Sequence, residues 1–317
     1  MRWVTYESPT TGEDRVGLLV DGGVVHGLRA PARMVDLLAG GADALRDAAE
    51  QARQRPAEVL PASSVRFRAP VPTPPSVRDF MSFEEHVVAS AEALGGEISP
   101  SWYDAPAFYF SNPAAVIGPT EPVEISPGSA QFDYELEIAA IIGTPGSDIS
   151  PADAEAHIAG YTILADWSAR DLQRNEMRSQ LGPAKGKDSA TSIGPTLVTP
   201  DELRGHRSGN GYALAMRASV NGKPYSEGSW SAIYWSFAQM IAYASRGTRL
   251  VPGDVIGSGT VGSGCILELS LLHGSDRFPF LEPGDTVELE VEQLGTISSV
   301  IQPAKSVIPL TAGARNR

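Results

Sequence analysis

The chain is nearly devoid of cysteine and poor in lysine. Cys265 is the single cysteine in 317 residues, so no intramolecular disulfide can form. A disulfide-built secreted fold is excluded, and the usage suits a reducing, cytoplasmic compartment. Lysine occurs only at 185, 187, 223 and 305. There is no run of Lys or Arg, and 38 acidic against 25 basic residues give a formal charge of −13. That balance argues against a nucleic-acid partner and against anionic membranes. No apolar stretch nears the roughly 18 residues of a membrane span, and the first residues lack the apolar core of a signal peptide. Phosphate-loop spacing is missing, as is the G-x-S-x-G elbow of serine hydrolases.

What is present is a globular composition, 42% hydrophobic and 20% charged, enough for a sizeable core. Residues 3–6, 16–20 and 24–26 read as strands, with Asp21-Gly22-Gly23 as a hairpin turn. Apolar residues at helical spacing predict a helix over 33–53. Residues 56–75, ending Pro70-Val71-Pro72-Thr73-Pro74-Pro75, read as a linker. The expected organisation is a small N-terminal domain over 1–70, with a helix and this Pro-rich linker, and a catalytic domain over 71–317. Further on, the pattern predicts a helix over 84–95, a strand over 132–143, a helix over 151–158 and a strand over 161–165. A helix capped by Ser168 with Asp171 at capping-box spacing follows. Strands are expected over 214–220, 266–272 and 286–293, with one helix near 230–244. Two Pro-Gly turns, Val251-Pro252-Gly253-Asp254 and Glu282-Pro283-Gly284-Asp285, each lead into a strand. The class is α+β and β-rich.

Three stretches carry chemistry. In Asp133-Tyr134-Glu135-Leu136-Glu137, strand alternation puts Glu135 and Glu137 on one face, about 7 Å apart along the backbone. Adjacent carboxylates repel unless a cation sits between them, and a hard divalent ion prefers oxygen ligands. A solvated strand edge is the other reading. In Asp166-Trp167-Ser168-Ala169-Arg170-Asp171-Leu172-Gln173, a buried strand ends at Asp166, which can supply a third oxygen ligand. Arg170 and Gln173 share a helical face and can meet developing negative charge; a capped surface helix is the alternative. Gly182-Pro183-Ala184-Lys185-Gly186-Lys187 is a loop holding two of the four lysines. His86 stands near a helix start with nothing local to single it out from the other histidines. Cys265, in a Gly-rich stretch, reads as a small buried residue.

In chain order these segments resemble the fumarylacetoacetate hydrolase family over roughly residues 70–300. The resemblance also takes in Tyr234-Trp235-Ser236-Phe237-Ala238-Gln239, Gly259-Thr260 and Leu267-Glu268-Leu269-Ser270. It implies a mixed β-roll, a homodimer, and Mg²⁺, Ca²⁺ or Mn²⁺ held by Asp79, Glu135, Glu137 and Asp166. It further implies His86 as general base oriented by Glu268, Arg170, Gln173 and Lys187 as oxyanion donors, and Thr260 at the substrate. Met81 and Met177 stand where the fumarylacetoacetate enzyme has tyrosines, and Gly95 near its substrate-binding arginine. These changes imply a more apolar distal pocket.

The activity implied first is metal-dependent hydrolysis of a carbon–carbon bond in a 1,3-diketone or acylpyruvate. A family isomerase or decarboxylase acting on a 2-oxo acid is the alternative, and a non-catalytic cation-binding dimer a third reading. The Gly95-Gly96 pair and the following Pro-containing loop make the segment 84–106 a candidate lid.

Overall fold

The computed structural model describes residues 1–30, 33–93 and 95–309. Leu94 of the helix expected over 84–95, and residues 310–317 of the catalytic segment, lie outside the described residues. The chain runs through β1 (Arg2–Glu7), β2 (Asp14–Val20), β3 (Val24–Gly27), α1 (Met34–Ala39), α2 (Gly41–Gln54), β4 (Glu58–Pro61) and β5 (Arg66–Arg68). There follow β6 (Val77–Phe80), α3 (Glu84–Ala93), β7 (Phe108–Ser111), β8 (Val116–Ile117), β9 (Val123–Glu124), β10 (Phe132–Asp133), β11 (Leu136–Ile142) and β12 (Gly146–Ser147). Next come β13 (Ile158–Asp166), β14 (Ser168–Ala169), α4 (Arg170–Met177), β15 (Thr191–Val198), α5 (Pro200–Leu203), β16 (Arg207–Ser208) and β17 (Gly211–Tyr212). The last elements are β18 (Ala215–Val220), β19 (Lys223–Ser229), α6 (Phe237–Ala244), β20 (Arg249–Leu250), β21 (Val255–Gly257), α7 (Ile266–His273), β22 (Thr286–Val291) and β23 (Gly295–Gln302).

A 12-stranded mixed sheet, β4-β3-β2-β1-β15-β13-β11-β21-β6-β7 with β5 and β8 on side branches, dominates the molecule. Its centre is buried on both faces, which explains the unbroken apolar run in β11. Ile138, Ala140 and Ile142 face one core, shared with Met216, Leu289 and Ile297 of a second, five-stranded sheet, β19-β18-β22-β23-β9. Ala139 and Ile141 face the other core, shared with Trp3 of β1, Leu37 and Leu38 of α1 and Leu45 of α2. The architecture is the α+β, β-rich one expected.

Several local expectations change. The helix over 33–53 is two helices parted at Gly40, whose N–H already turns back to Leu37. The Pro- and Ser-rich 56–75 stretch is not free linker: β4 pairs with β3 and β5 with β1. The 151–158 helix shrinks to a 3-10 turn over Ala154–His157. The strand over 132–143 breaks at Tyr134-Glu135, because β10 pairs with β14 while Glu135 bridges Cys265. Ser168 therefore lies in a strand, α4 starts at Arg170 without a side-chain cap, and Asp171 instead accepts from Ser129 Oγ and Ala130 N–H. Near 230–244 a helical turn precedes α6, which carries a complete Ser236/Gln239 capping box.

The largest correction is α7, expected as a strand. A short run of Ile and Leu satisfies either period. Carboxylates decide it: Asp133 accepts from the backbone N–H of Ile266 (2.7 Å) and Leu267 (2.9 Å) at the helix N-terminus. Glu268 accepts from Ser263 N–H (2.8 Å). Asp133 satisfies donors that a helix start leaves unpaired, and both carboxylates favour its dipole.

Candidate active site

Sheet register builds the site. Tyr109 of β7 is opposite Asp79 of β6, Asp79 opposite Gly257 of β21, and Gly257 opposite Ala139 of β11. Cross-strand neighbours share a face, so these positions form a row across four strands. Glu137 is two residues from Ala139 on that same face, and its partner Leu164 is two residues from Asp166 of β13. Glu135 joins from the break before β11. One oxygen each from Asp79, Glu135, Glu137 and Asp166 lie within 4.8 Å of one another, and all four residues are buried.

Glycines make the room. A Cβ on Gly257 would stand 2.5 Å from Asp79 Oδ1 and 3.3 Å from Glu137 Oε2. Gly259, at φ +74°, donates its N–H to Asp79 Oδ1 (3.2 Å) and Glu137 Oε2 (3.0 Å), and a side chain there would strike the Phe80 carbonyl.

Two cations answer part of this charge. Lys187 Nζ lies 2.7 Å from Glu135 Oε2 and 2.5 Å from Asp166 Oδ2. Its loop is clamped to α4: Glu176 Oε1 accepts from Ala184 and Gly186 N–H, and a Cβ on Gly186 would meet the Gln173 backbone at 2.8 Å. Arg170 donates from Nε to Asp133 Oδ2 (2.8 Å) and pairs through Nη1 with Glu135 Oε1 (2.7 Å). Gln173 Oε1 accepts from Arg170 Nη1 at 3.3 Å.

The carboxyls divide accordingly. Burial alone would raise Glu135, yet Lys187, Arg170 and His86 together hold it well below the usual range. Burial, with Asp79, Glu135 and Asp166 adding repulsion, pushes Glu137 well up. Asp79 is also raised by burial, against the pull of its hydrogen bond to Glu137 and of Lys187. Asp166 is pushed up to about 7, again by burial first. The cradle is thus short of positive charge. Among the described residues, the buried oxygens Glu137 Oε1 and Asp166 Oδ1 have no hydrogen-bond partner. Unpaired oxygens in an all-oxygen cluster fit a hard divalent cation.

Beside the cradle, His86 of α3 meets Glu268 of α7, with Nδ1 2.8 Å from Oε2. Glu268 is itself fixed by the Ser263 N–H. Donation from Nδ1 leaves Nε2 with a free lone pair, the form a general base needs. Arg170 Nη2 is a buried donor without a partner among the described residues. Thr260 is buried, its Oγ1 3.3 Å from the Leu136 carbonyl.

The two methionines lie on exposed positions near the ends of elements that carry site residues. Met81 follows β6 and is 41% exposed; Met177 is 55% exposed and ends α4, about 10 Å along the helix from Arg170. Cys265 is fully buried, and burial pushes its thiol well up, so it is no nucleophile. The candidate lid is anchored near its far end: Trp102 donates from Nε1 to the Met81 carbonyl and packs against Tyr103, Tyr234 and Trp235.

Sequence reasoning missed two members. Asp133 is fully buried and accepts from Tyr134, Ile266 and Leu267 N–H and from Arg170. Tyr109, inside Phe108-Tyr109-Phe110, looks like one more apolar strand position, yet its hydroxyl reaches Asp166 Oδ2 (2.5 Å) and Asp79 Oδ2 (3.1 Å). Burial followed by the four nearby carboxylates holds that phenol protonated. Asp133 stands at the start of the Asp133–Glu137 stretch and Tyr109 in none of the stretches singled out, and only the three-dimensional register brings the two to the site.

Comparison with known proteins places the chain in a family. Residues 76–302 match the family model described as fumarylacetoacetate (FAA) hydrolase, C-terminal. A relative from Xenopus laevis, named oxaloacetate tautomerase fahd2, mitochondrial, is 30% identical over 310 residues, covering 95% of this chain and 90% of that one. A crystal structure titled as a probable 2-hydroxyhepta-2,4-diene-1,7-dioate isomerase from Mycobacterium abscessus superposes with a TM-score of 0.73 at 25% identity, over 96% of this chain and 100% of that chain. A fumarylacetoacetate hydrolase from Exiguobacterium antarcticum gives 0.72 at 25% identity, with the same coverage. Among the described residues no helix is long and apolar enough to cross a membrane. The chain belongs to the fumarylacetoacetate hydrolase family.

Proposed function

We propose that the protein is a divalent-cation-dependent keto–enol tautomerase of a small 2-oxo acid of the oxaloacetate type. The observation that carries this reading is the His86–Glu268 pair beside the four-carboxylate cradle, a base next to a cation site, with His86 near enough to act on the charge of Glu135. The name of the 30%-identical relative supports the isomerase alternative over hydrolysis, the activity first expected. Asp79, Glu135, Glu137 and Asp166 would hold the cation, Mg²⁺ or Mn²⁺ in this reading. Such an ion supplies Lewis-acid polarisation of the 2-oxo group.

The chain's own residues do the rest. His86 Nε2 takes a proton from the carbon next to the carbonyl, and Glu268 steadies the resulting imidazolium. Lys187 stands as hydrogen-bond donor to the carbonyl oxygen as charge builds there, and Arg170 Nη2 receives the substrate carboxylate. Return of a proton to carbon gives the ketone and to oxygen the enol, with no bond between carbons broken. Hydrolysis is the second reading, favoured by one feature: the same free Nε2 could activate water, as the name of the Exiguobacterium neighbour suggests.

The test is to follow oxaloacetate by NMR in D₂O with Mg²⁺ or Mn²⁺ and with a chelator. The tautomerase reading expects cation-dependent acceleration of enol–keto exchange with the carbon skeleton intact. An acylpyruvate panel cleaved to two products, with no acceleration of exchange, would replace it with hydrolysis. Release of pyruvate and CO₂ would mark a decarboxylase.

A further inference from the structure

We infer that Tyr109 sets which divalent cation the cradle prefers, by keeping Asp79 from chelating it through both oxygens. This rests on the reading that the cradle holds a cation. Tyr109 is the donor to Asp79 Oδ2 (3.1 Å) and shares Asp166 Oδ2 (2.5 Å) with Lys187. Asp79 Oδ1 and Glu137 Oε2 accept from Gly259 N–H. Glu135 is tied through both oxygens, to Arg170 and Lys187. The oxygens left with no partner are Glu137 Oε1 and Asp166 Oδ1.

Tyr109 therefore leaves Asp79 only Oδ1, whose donor is the Gly259 N–H that it shares with Glu137, and two-oxygen chelation by Asp79 is disfavoured. Mg²⁺ and Mn²⁺ accept this, because a six-coordinate ion with single-oxygen ligands fills its remaining positions with water and substrate. Ca²⁺ gains most from carboxylates that bind through both oxygens in a larger shell. Tyr109 is the position where this restriction can be lifted with least disturbance. Among the described residues no other side-chain donor reaches Asp79 Oδ2, and β7 presents the ring by direct register with Asp79. Tyr109 is thus a positioning residue: it need not touch substrate.

The experiment is competitive calorimetry of Mg²⁺ and Ca²⁺ on the full chain and on Tyr109→Phe, which keeps the ring and removes the hydroxyl. The wild type should prefer Mg²⁺. The variant, with its melting temperature little changed, should shift the Mg²⁺-to-Ca²⁺ affinity ratio toward Ca²⁺ by about tenfold or more, the usual scale for an outer-sphere partner of a metal ligand. An unchanged ratio in a folded variant overturns the inference and leaves the cradle reading standing. Absence of any divalent binding to the wild type overturns both. A second measurement needs no variant: Eu³⁺ luminescence lifetimes in H₂O and D₂O count waters on the bound ion. Four carboxylates held to one oxygen each leave about two to four waters in a shell of six to eight oxygens; fewer than two would mean two-oxygen chelation and contradict the inference.

Discussion

Gly257 shows how much of this site depends on what is missing from a residue. Its position faces Asp79 and Glu137, and a methyl there would stand 2.5 Å from a carboxylate oxygen. Gly257→Ala should cost about 1–3 kcal/mol of stability, as overpacking does, and weaken cation binding at least tenfold; thermal melts and calorimetry read the two effects. The carboxylates carry their own pH signature. Burial pushes Asp166 up to about 7 in the folded chain, above its ordinary value. Without added cation, its contribution to stability is fully present below pH about 4 and is lost as pH rises through 7. Cation binding must displace protons, so Mg²⁺ affinity should rise between pH 6 and 8 and proton release should appear as a buffer-dependent heat. Affinity flat across that range would contradict it. At this scale the sequence was informative where chemistry repeats locally. Glu135, Glu137 and Asp166 announce themselves as acids in or at the end of apolar strands. Tyr109 and Asp133 do not, because their roles come from partners far along the chain, Asp166 for one and α7 for the other.

At the scale of elements, Asp133 links β10, α4 and α7. It accepts from three backbone N–H groups and from the Arg170 guanidinium with no solvent exposure. Asp133→Ala should cost roughly 3–5 kcal/mol, because it uncaps α7 and strands a buried arginine. A melting temperature within a degree or two of the wild type would refute that. The same residue explains why α7 could not be read from sequence: the apolar run fits either period, and the helix start is stabilised by an acid more than a hundred residues away. Elements set by local turn chemistry were legible. The Asp21-Gly22-Gly23 hairpin and both Pro-Gly-Asp turns lead into strands as read. The β10–β11 break was not legible, since it arises from a change of pairing partner.

For the whole molecule, the N-terminal strands continue the central sheet. β1 pairs with β15, and Trp3, Leu37, Leu38 and Leu45 share a buried core with Ala139, Ile141 and Leu164. A composition shift at the Pro-rich stretch suggests a boundary near residue 70, but composition cannot reveal a sheet that crosses it. A chain starting at residue 70 should therefore expose the apolar face of β11 and β13 and fail to give a cooperative melt; a soluble fragment with a sharp transition would contradict this. The mixed, β-rich class and the carboxylate strands were readable from sequence because periodicity and burial act over short windows. The long-range register that gathers four acids, a phenol and two glycines was not.

The most direct test of the account is the rate of enol–keto exchange of oxaloacetate, followed by deuterium entry at its methylene carbon, for the wild type and His86→Gln, each with and without Mg²⁺. Exchange well above the uncatalysed rate is expected only for the cation-loaded wild type, falling about 10²–10⁴-fold when the base is removed. Exchange at the wild-type rate in His86→Gln, or exchange unaffected by the chelator, would contradict it.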